Sequence, residues 1–413
     1  LQPIPGTDVA LLASLAAALL ADVSTVAGVT TEDLDTLRTL LDGWTIERAA
    51  ASMGLDATVV AALVRDVLDH RGRIAVMCGT GAQMGRDGLL LEWLRWIVLI
   101  LSGSLESPGG MRFIHGIFGP PAAPPTHEKR PKPGPASRPE LPRVIDQVPV
   151  VALADEIESG AIRALIVTGG NLFTAAPDPQ RMARALRGLD VLAVFDVVDG
   201  PMCELATHVL PATGQLERAD FQLTINYAMR PAVQSTPAVV PATGERRPAW
   251  WVFGELAARL DPDSPFAPFR SMSSDEEVLR AMTGASSVDP DALFAAGPHG
   301  LDVPTMREWI LDWLPEGRWN LAPALLVERL AAWAPPATDS LVLIPRRDGI
   351  WNNSIRYGRA KEPAIVHLHP DDAASLDISE SDTVEIASSN GTLTSQVHLD
   401  PTLRPGVITV GHG

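Results

Sequence analysis

The sequence predicts an α/β protein, with parallel-sheet, dinucleotide-binding-like domains followed by a small C-terminal β-barrel. Three observations carry that prediction. Ala164-Leu165-Ile166-Val167-Thr168 is an apolar, β-branched run that stops at Gly169-Gly170-Asn171; an amphipathic segment, Gln180 to Leu189, and a second strand ending at Asp196 follow. Strand, glycine turn, helix and strand make one βαβ unit of a parallel sheet. Arg73 to Cys78 reads as another strand, ending at Gly79-Thr80-Gly81 ahead of a helix. From Ser340 onward, short strands alternate with turn signals such as Asn390-Gly391 and Pro405-Gly406, the spacing of a small barrel.

The elements follow in order. Residues 3–22 run from a loop into an Ala/Leu-rich core helix, Leu11 to Ala21. Thr31 to Leu41, Thr45 to Met53 and Asp56 to His70 read as short amphipathic helices capped by Thr31, Thr45 and Asp56. Acids between Glu32 and Asp35 suit the positive end of a helix dipole. Leu89 to Leu101 is the most apolar run, but Glu92 and Arg95 interrupt it and it is too short to span a bilayer. With Trp93 and Trp96 it is a buried or interfacial helix. Pro120 to Pro142 is loop or linker, because proline neither donates to a ladder nor sits inside a helix. Residues 261–336 are mostly helical. The terminal strands are Leu341 to Ile344, Ala364 to Leu368, Thr383 to Ala387, Leu393 to Val397 and Val407 to Val410. The expected division is 1–75, the tail of a first α/β domain with a helical segment; 76–265, a second α/β domain interrupted by 120–142; 266–337, a helical connector; and 338–413, an incomplete barrel.

Composition narrows the function. The 413 residues are 46% hydrophobic, enough for roughly two to four domains with ample core. A formal charge of -17, spread along the chain, speaks against nucleic acid as a partner, since no basic, aromatic-laced patch is present to neutralise phosphates. Cys78 and Cys203 lie too far apart in sequence to suggest a zinc or iron–sulfur motif, and both are expected to be buried structural thiols. The chain opens on Leu1 without a signal-like segment and reads as part of a longer polypeptide; the expected location is cytoplasmic.

Three constellations could carry chemistry. The first pairs the glycine turns at 78–83 and 168–171 with Asp196 at a neighbouring strand end. Parallel sheets bind ligands beyond the carboxyl ends of their strands, where glycine admits backbone to a phosphate and an acid can accept from a ribose hydroxyl or a guanine N–H edge. The same residues also serve as tight turns and turn caps. The second, Pro5-Gly6-Thr7-Asp8, is by itself a turn leading into a helix. The third is Arg346-Arg347-Asp348 with Trp351-Asn352-Asn353-Ser354; two guanidiniums suit a pyrophosphate and Asn/Ser a heterocycle edge, while a solvated hairpin loop has the same composition.

In this order the pieces resemble one family. Pro5-Gly6-Thr7-Asp8 and Gly79-Thr80-Gly81 are followed by Leu101-Ser102-Gly103, Ser107-Pro108-Gly109-Gly110, and Val167-Thr168-Gly169-Gly170-Asn171 with Pro177-Asp178. Next come Val209-Leu210-Pro211, Leu216-Glu217-Arg218-Ala219-Asp220, Gly244-Glu245, Trp250-Trp251, Arg346…Asn353-Ser354, His369-Pro370-Asp371-Asp372-Ala373 and Pro405-Gly406-Val407. Together they are similar to the molybdopterin oxidoreductases of the dimethyl-sulfoxide-reductase superfamily, which includes formate dehydrogenases and nitrate reductases. The resemblance implies a terminal barrel of the double-psi type. It also implies a catalytic subunit using bis(molybdopterin guanine dinucleotide), with molybdenum or tungsten, for two-electron redox on a small-molecule substrate, alongside electron-transfer subunits. Carried over by position, Gly6, Thr7 and Asp8 meet one guanine nucleotide end. Gly79, Thr80, Gly81 and Gln83 meet the other half, whose guanosine is held by Gly170, Asn171 and Asp196. Arg346, Arg347, Asn353 and Ser354 match phosphate and pterin contacts.

The departures are specific. Leu172 stands where the family has proline, Pro201-Met202-Cys203 replaces Glu-Thr-Ala, Thr207 replaces an aspartate, and Asp377 and Ser381 replace barrel glycines. The family's amino-terminal segment, with its 4Fe-4S cluster and metal ligand, and its final cofactor-contacting segment have no counterpart in this sequence. The resemblance therefore implies a fragment that carries no metal ligand and turns nothing over alone. The alternative within the same scaffold is a pterin-free, electron-wiring subunit like the large subunit of respiratory NADH dehydrogenase. His115, His208, His367, His369, His398 and His412 include no residue in a position that marks catalysis, so catalytic residues stay unassigned.

Overall fold

The computed structural model describes residues 1–118, 133–143, 147–221, 231–303, 309–337, 339–346 and 365–411. The chain begins with a helical layer: α1 (Asp8–Ala21), α2 (Thr31–Leu41), α3 (Ile46–Met53), α4 (Ala57–Asp69), the single turn α5 (Thr80–Gln83) and α6 (Gly88–Leu101). Local chemistry sets their ends. Thr45 Oγ1 accepts from Arg48 N–H at 3.2 Å and Asp56 Oδ1 from Thr58 N–H at 2.7 Å, as the sequence suggests. The cap of α2 is Thr30 rather than Thr31: its hydroxyl accepts from Asp33 N–H at 3.0 Å. Gly54, at φ +60°, closes α3 in the left-handed region that glycine enters freely. α1 and α6 are apolar on most of their surface and pack on one another at the centre of this layer.

Residues 73–78, expected as a strand, form none. Ile74 N–H donates to Ser104 Oγ at 3.1 Å and Val76 N–H to the Met111 thioether at 3.3 Å, so these donors are satisfied by side chains of the 102–111 loop. An apolar run becomes a strand only beside another strand, and here its neighbours are α6 and a loop. The expected boundary at 75/76 also falls inside one core: Leu19, Leu37 and Met53 pack with Leu94 and Ile97, and with Leu321 and Leu330 from the segment expected as a connector. Trp93 Nε1 seals that contact by donating to the Leu321 carbonyl at 3.0 Å.

The βαβ reading is realised next. After α7 (Leu153–Glu158) come β1 (Ala164–Thr168), the single turn α8 (Leu172–Ala175), α9 (Pro179–Arg187), β2 (Val191–Asp196), α10 (Pro201–Leu205) and β3 (His208–Pro211). The strands form a parallel sheet in the order β1-β2-β3, with Val167 opposite Val194 and Val194 opposite Val209. α9 starts with proline at its first position, and Asp178 Oδ1 accepts from Arg181 N–H at 2.9 Å. Val167, Leu192 and Val194 bury one sheet face against Met182, Ala185 and Leu186 of α9.

Between this sheet and the barrel lie β4 (Asp220–Phe221), β5 (Ala232–Val233), β6 (Ser235–Thr236), α11 (Ala249–Leu260), α12 (Asp275–Thr283), α13 (Pro290–Ala295), β7 (Leu301–Asp302) and α14 (Ala324–Ala331). β4 pairs β6 and β5 pairs β7, both antiparallel. The terminal segment holds β8 (Val342–Arg346), β9 (Ile365–Leu368), α15 (Pro370–Ser375), β10 (Thr383–Ser388), β11 (Gly391–Leu399) and β12 (Val407–Gly411), all five predicted strands within a residue or two. Their order, β10-β11-β9-β12-β8, makes a curled five-stranded half-barrel with mixed pairing. Val366, Leu368, Val397 and Ile408 form its core with Ala373 of α15.

Asp377 and Ser381, which stand where the resembled family has glycines, keep positive φ angles of +56° and +70°. Cys78 and Cys203 are half-buried rather than buried. No helix among the described residues is long and apolar enough to cross a membrane.

Candidate cofactor site

The carboxyl edge of the parallel sheet opens a cleft of about 260 Å³, lined by Thr168, Gly169, Phe195, Asp196, Thr213 and Arg218 among others. Each strand end contributes. β1 stops because Gly169 turns into the left-handed region (φ +56°), its N–H donating to the Phe195 carbonyl at 3.0 Å; no atom lies within 4 Å of where a Cβ would stand. β2 ends at Asp196, whose Oδ1 accepts from Val197 N–H at 2.6 Å and Val198 N–H at 3.1 Å. β3 delivers the loop with Thr213 and Arg218, the latter 3.2 Å from Asp220. The arrangement offers a carboxylate, a guanidinium, a hydroxyl and open backbone within one small cleft. Asn171 and Gly170 lead away from it: Asn171 Oδ1 accepts from Phe173 N–H at 3.0 Å and so caps α8. The sequence reading gave Thr213 and Arg218 no site role. The signal was the third strand end at Pro211, which places the residues after it beside those after Thr168 and Asp196.

A second group of predicted residues gathers where α1 begins. Gly6 has φ +83°, and Thr7 is wholly buried, its hydroxyl donating to the Ile4 carbonyl at 2.5 Å. The Thr7 side chain therefore shapes the turn, its hydroxyl proton held by the Ile4 carbonyl. Asp8 starts α1, where the helix dipole favours an acid. The Gly79-Thr80-Gly81 turn is exposed, and a Cβ at either glycine would meet nothing within 4 Å. Behind it, Gln83 Nε2 donates to Glu92 Oε1 at 2.7 Å, and Arg95 Nε donates to Glu92 Oε2 at 2.7 Å. Burial, reinforced by the Glu92 charge, pushes the Cys78 thiol up to about 11. Cys78 is a neutral thiol at physiological pH.

The half-barrel approaches the same end of the molecule. Arg404 donates to the Gln2 carbonyl at 2.6 Å and to the Gly54 carbonyl at 3.1 Å, and Gln2 Nε2 donates to the Thr402 carbonyl at 3.0 Å. Arg346 ends β8. Its Nη1 lies 3.1 Å from Asp400 Oδ2 and 3.2 Å from His367 Nδ1. The Thr402 hydroxyl, then Arg346, holds the buried Asp400 carboxyl down to about 2. Arg346 thus has a partner within the barrel, yet its side chain is 46% exposed, and a guanidinium carries five donors. Arg347, Asn353 and Ser354 lie outside the described residues.

Comparison with known proteins gives the family. The model of the family described as "Molybdopterin oxidoreductase" matches residues 1–259, and that of the "Molydopterin dinucleotide binding domain" matches residues 345–413. The chain is 25% identical over 393 residues to the NADPH-Fe(3+) oxidoreductase subunit alpha of Geobacter sulfurreducens, covering 91% of this chain and 43% of that protein. It is 24% identical to the trimethylamine-N-oxide reductase of Haemophilus influenzae, covering 89% of this chain and 52% of that one. With the F420-dependent formate dehydrogenase subunit alpha of Methanocaldococcus jannaschii it shares 26% identity, over 61% and 38%. The chain spans about half the length of the curated relatives it matches. The solved structure of acetylene hydratase from Pelobacter acetylenicus has the same fold, with a TM-score of 0.75 at 15% identity over 99% of this chain and 63% of that one. With one family model covering well over half of the residues, the chain belongs to the molybdopterin oxidoreductases.

Proposed function

We propose that this chain is part of the catalytic subunit of a molybdenum or tungsten enzyme that binds bis(molybdopterin guanine dinucleotide) and performs two-electron redox on a small substrate. The observation that carries this reading is the cleft at the sheet's carboxyl edge, where Gly169, Asp196, Thr213 and Arg218 converge within the stretch matched to the molybdopterin family. The donor set fits a guanosine end: a carboxylate suits the guanine N–H edge, and a hydroxyl and a guanidinium suit ribose and phosphate oxygens. Gly79, Thr80 and Gly81 present backbone with open space before it, which fits the second point of contact on that half. Gly6 and Asp8 belong to the other half's nucleotide end. The half-barrel, with Arg346 and with Arg347, Asn353 and Ser354, would close over the cofactor as a double-psi barrel.

When bound, the cofactor supplies the redox-active metal through its dithiolenes; this chain's residues orient it and exclude water. The metal ligand and the 4Fe-4S cluster belong to polypeptide beyond this sequence, so the chain is read as a fragment. Electron-transfer partner subunits and a cytoplasmic location belong to the same reading; two of the relatives above are themselves named as alpha subunits. The test is chemical. Acid treatment of the purified full-length protein should release guanylate in equal amount to its pterin. Pterin without guanylate would overturn the assignment of the sheet-edge cleft.

A further inference from the structure

α6 carries two charged side chains, Glu92 and Arg95, in an otherwise apolar helix. Arg95 is buried and Glu92 half-buried, and such charges are costly unless paired. Arg95 meets that need through Glu92 Oε2 at 2.7 Å, the Val76 carbonyl at 3.4 Å and the face of Trp96, 4.1 Å from the ring centroid. Pairing explains one carboxylate oxygen. The other, Oε1, reaches off the helix to Gln83 at 2.7 Å. Gln83 ends α5, a single turn of four residues, too short to hold itself. The residues before it form no strand, so α5 is held chiefly from the α6 side, where the Gln83 backbone closes on Gly88 and the Gln83 side chain on Glu92.

We propose that Glu92 is the positioning residue of this turn: aligned by Arg95, it holds Gln83 and so fixes the Gly79-Thr80-Gly81 backbone in place before the nucleotide end of the cofactor arrives. The inference rests on the reading that this turn meets the cofactor. Burial raises the Glu92 carboxyl, but the hydrogen bonds from Gln83 and Arg95 outweigh it and leave the group below its ordinary value, so the acceptor stays ionised at neutral pH.

Gln83→Leu tests the link while leaving the buried Glu92–Arg95 pair intact; Gln83→Glu opposes like charges across it. In the full-length protein freed of cofactor, both variants should speed amide exchange across residues 79–84 roughly tenfold with α1 and α6 unchanged. Both should lower the pterin content of the protein as purified, and Glu92→Gln should cost less than Glu92→Ala because it keeps an acceptor. In the Gln83→Leu background, Glu92→Gln should add nothing at the turn. Unchanged exchange in Gln83→Leu overturns the clamp. Faster exchange with undiminished pterin content overturns its role toward the ligand. A parent protein that itself holds no pterin overturns the functional reading, and the ligand role of the clamp with it.

Discussion

Asp196 serves two demands with one carboxylate. Oδ1 closes the turn after β2 through two backbone N–H groups, and the residue also walls the cleft. Asp196→Asn keeps an oxygen acceptor for the turn and removes the charge. A hydrogen bond to a charged group contributes about 1.5–3 kcal/mol, so guanylate retention on dialysis should weaken roughly tenfold to a hundredfold while the unfolding midpoint stays put; undiminished retention would exclude Asp196 as the guanine contact. Asp377 and Ser381 illustrate a different residue-scale conflict. Side chains in the left-handed region cost about 1–2 kcal/mol each, less for aspartate, and glycine returns part of that gain as chain entropy. Ser381→Gly should therefore raise barrel stability by up to about 1 kcal/mol, and Asp377→Gly by less, measured by urea denaturation. The sequence showed where these glycines were missing; only the backbone angles show that the turn kept its shape. The burial of Thr7 was equally hidden, because a threonine in a Pro-Gly-Thr-Asp turn looks the same whether its hydroxyl faces a ligand or the Ile4 carbonyl.

At the scale of elements, β1 and β2 were readable because continuous apolar runs bounded by glycine or an acid suit a strand covered by helices. Residues 73–78 have similar composition and fail for want of a neighbouring strand, a fact no local pattern contains. The two runs should respond differently to truncation. Leu192 in β2 is 1% exposed, and Leu192→Ala should cost about 2–5 kcal/mol. Met77 is 72% exposed, and Met77→Ala should stay within about 0.5 kcal/mol. Equal losses in denaturant unfolding would mean that 73–78 is packed as a strand after all. The barrel strands were predicted most closely, since each is a short run bounded by turn or polar residues. Thr213 and Arg218 were given no site role because β3 is only four residues long, and the run Leu216-Glu217-Arg218-Ala219-Asp220 after it does not by itself say which side chain faces the cleft.

Across the whole molecule, one core crosses the expected division at 75/76, because it is assembled from segments distant in sequence: α1 to α4, α6 and residues around Leu321 and Leu330 share one interior. The half-barrel, by contrast, has its own core and its own polar network, and this makes its pH response separable. Burial first, then the charges of Arg346 and His398, lowers His367 from its ordinary 6.5. A histidine held neutral in the fold binds more protons when unfolded, so this stability is present above 6.5 and is lost as the pH falls through the folded value. Asp400, held at about 2 against an ordinary 3.8, adds stability that is lost between those two values. Acid unfolding of the barrel should accordingly begin below 6.5, and His367→Gln should remove that first phase while leaving the second. On the function proposed above, these turns, this sheet edge and this barrel together hold a metal-bearing pterin. Metal and pterin analysis of the purified full-length protein tests it most directly. Molybdenum or tungsten together with pterin, both diminished by Asp196→Asn, is the predicted result; a folded protein containing neither would contradict it.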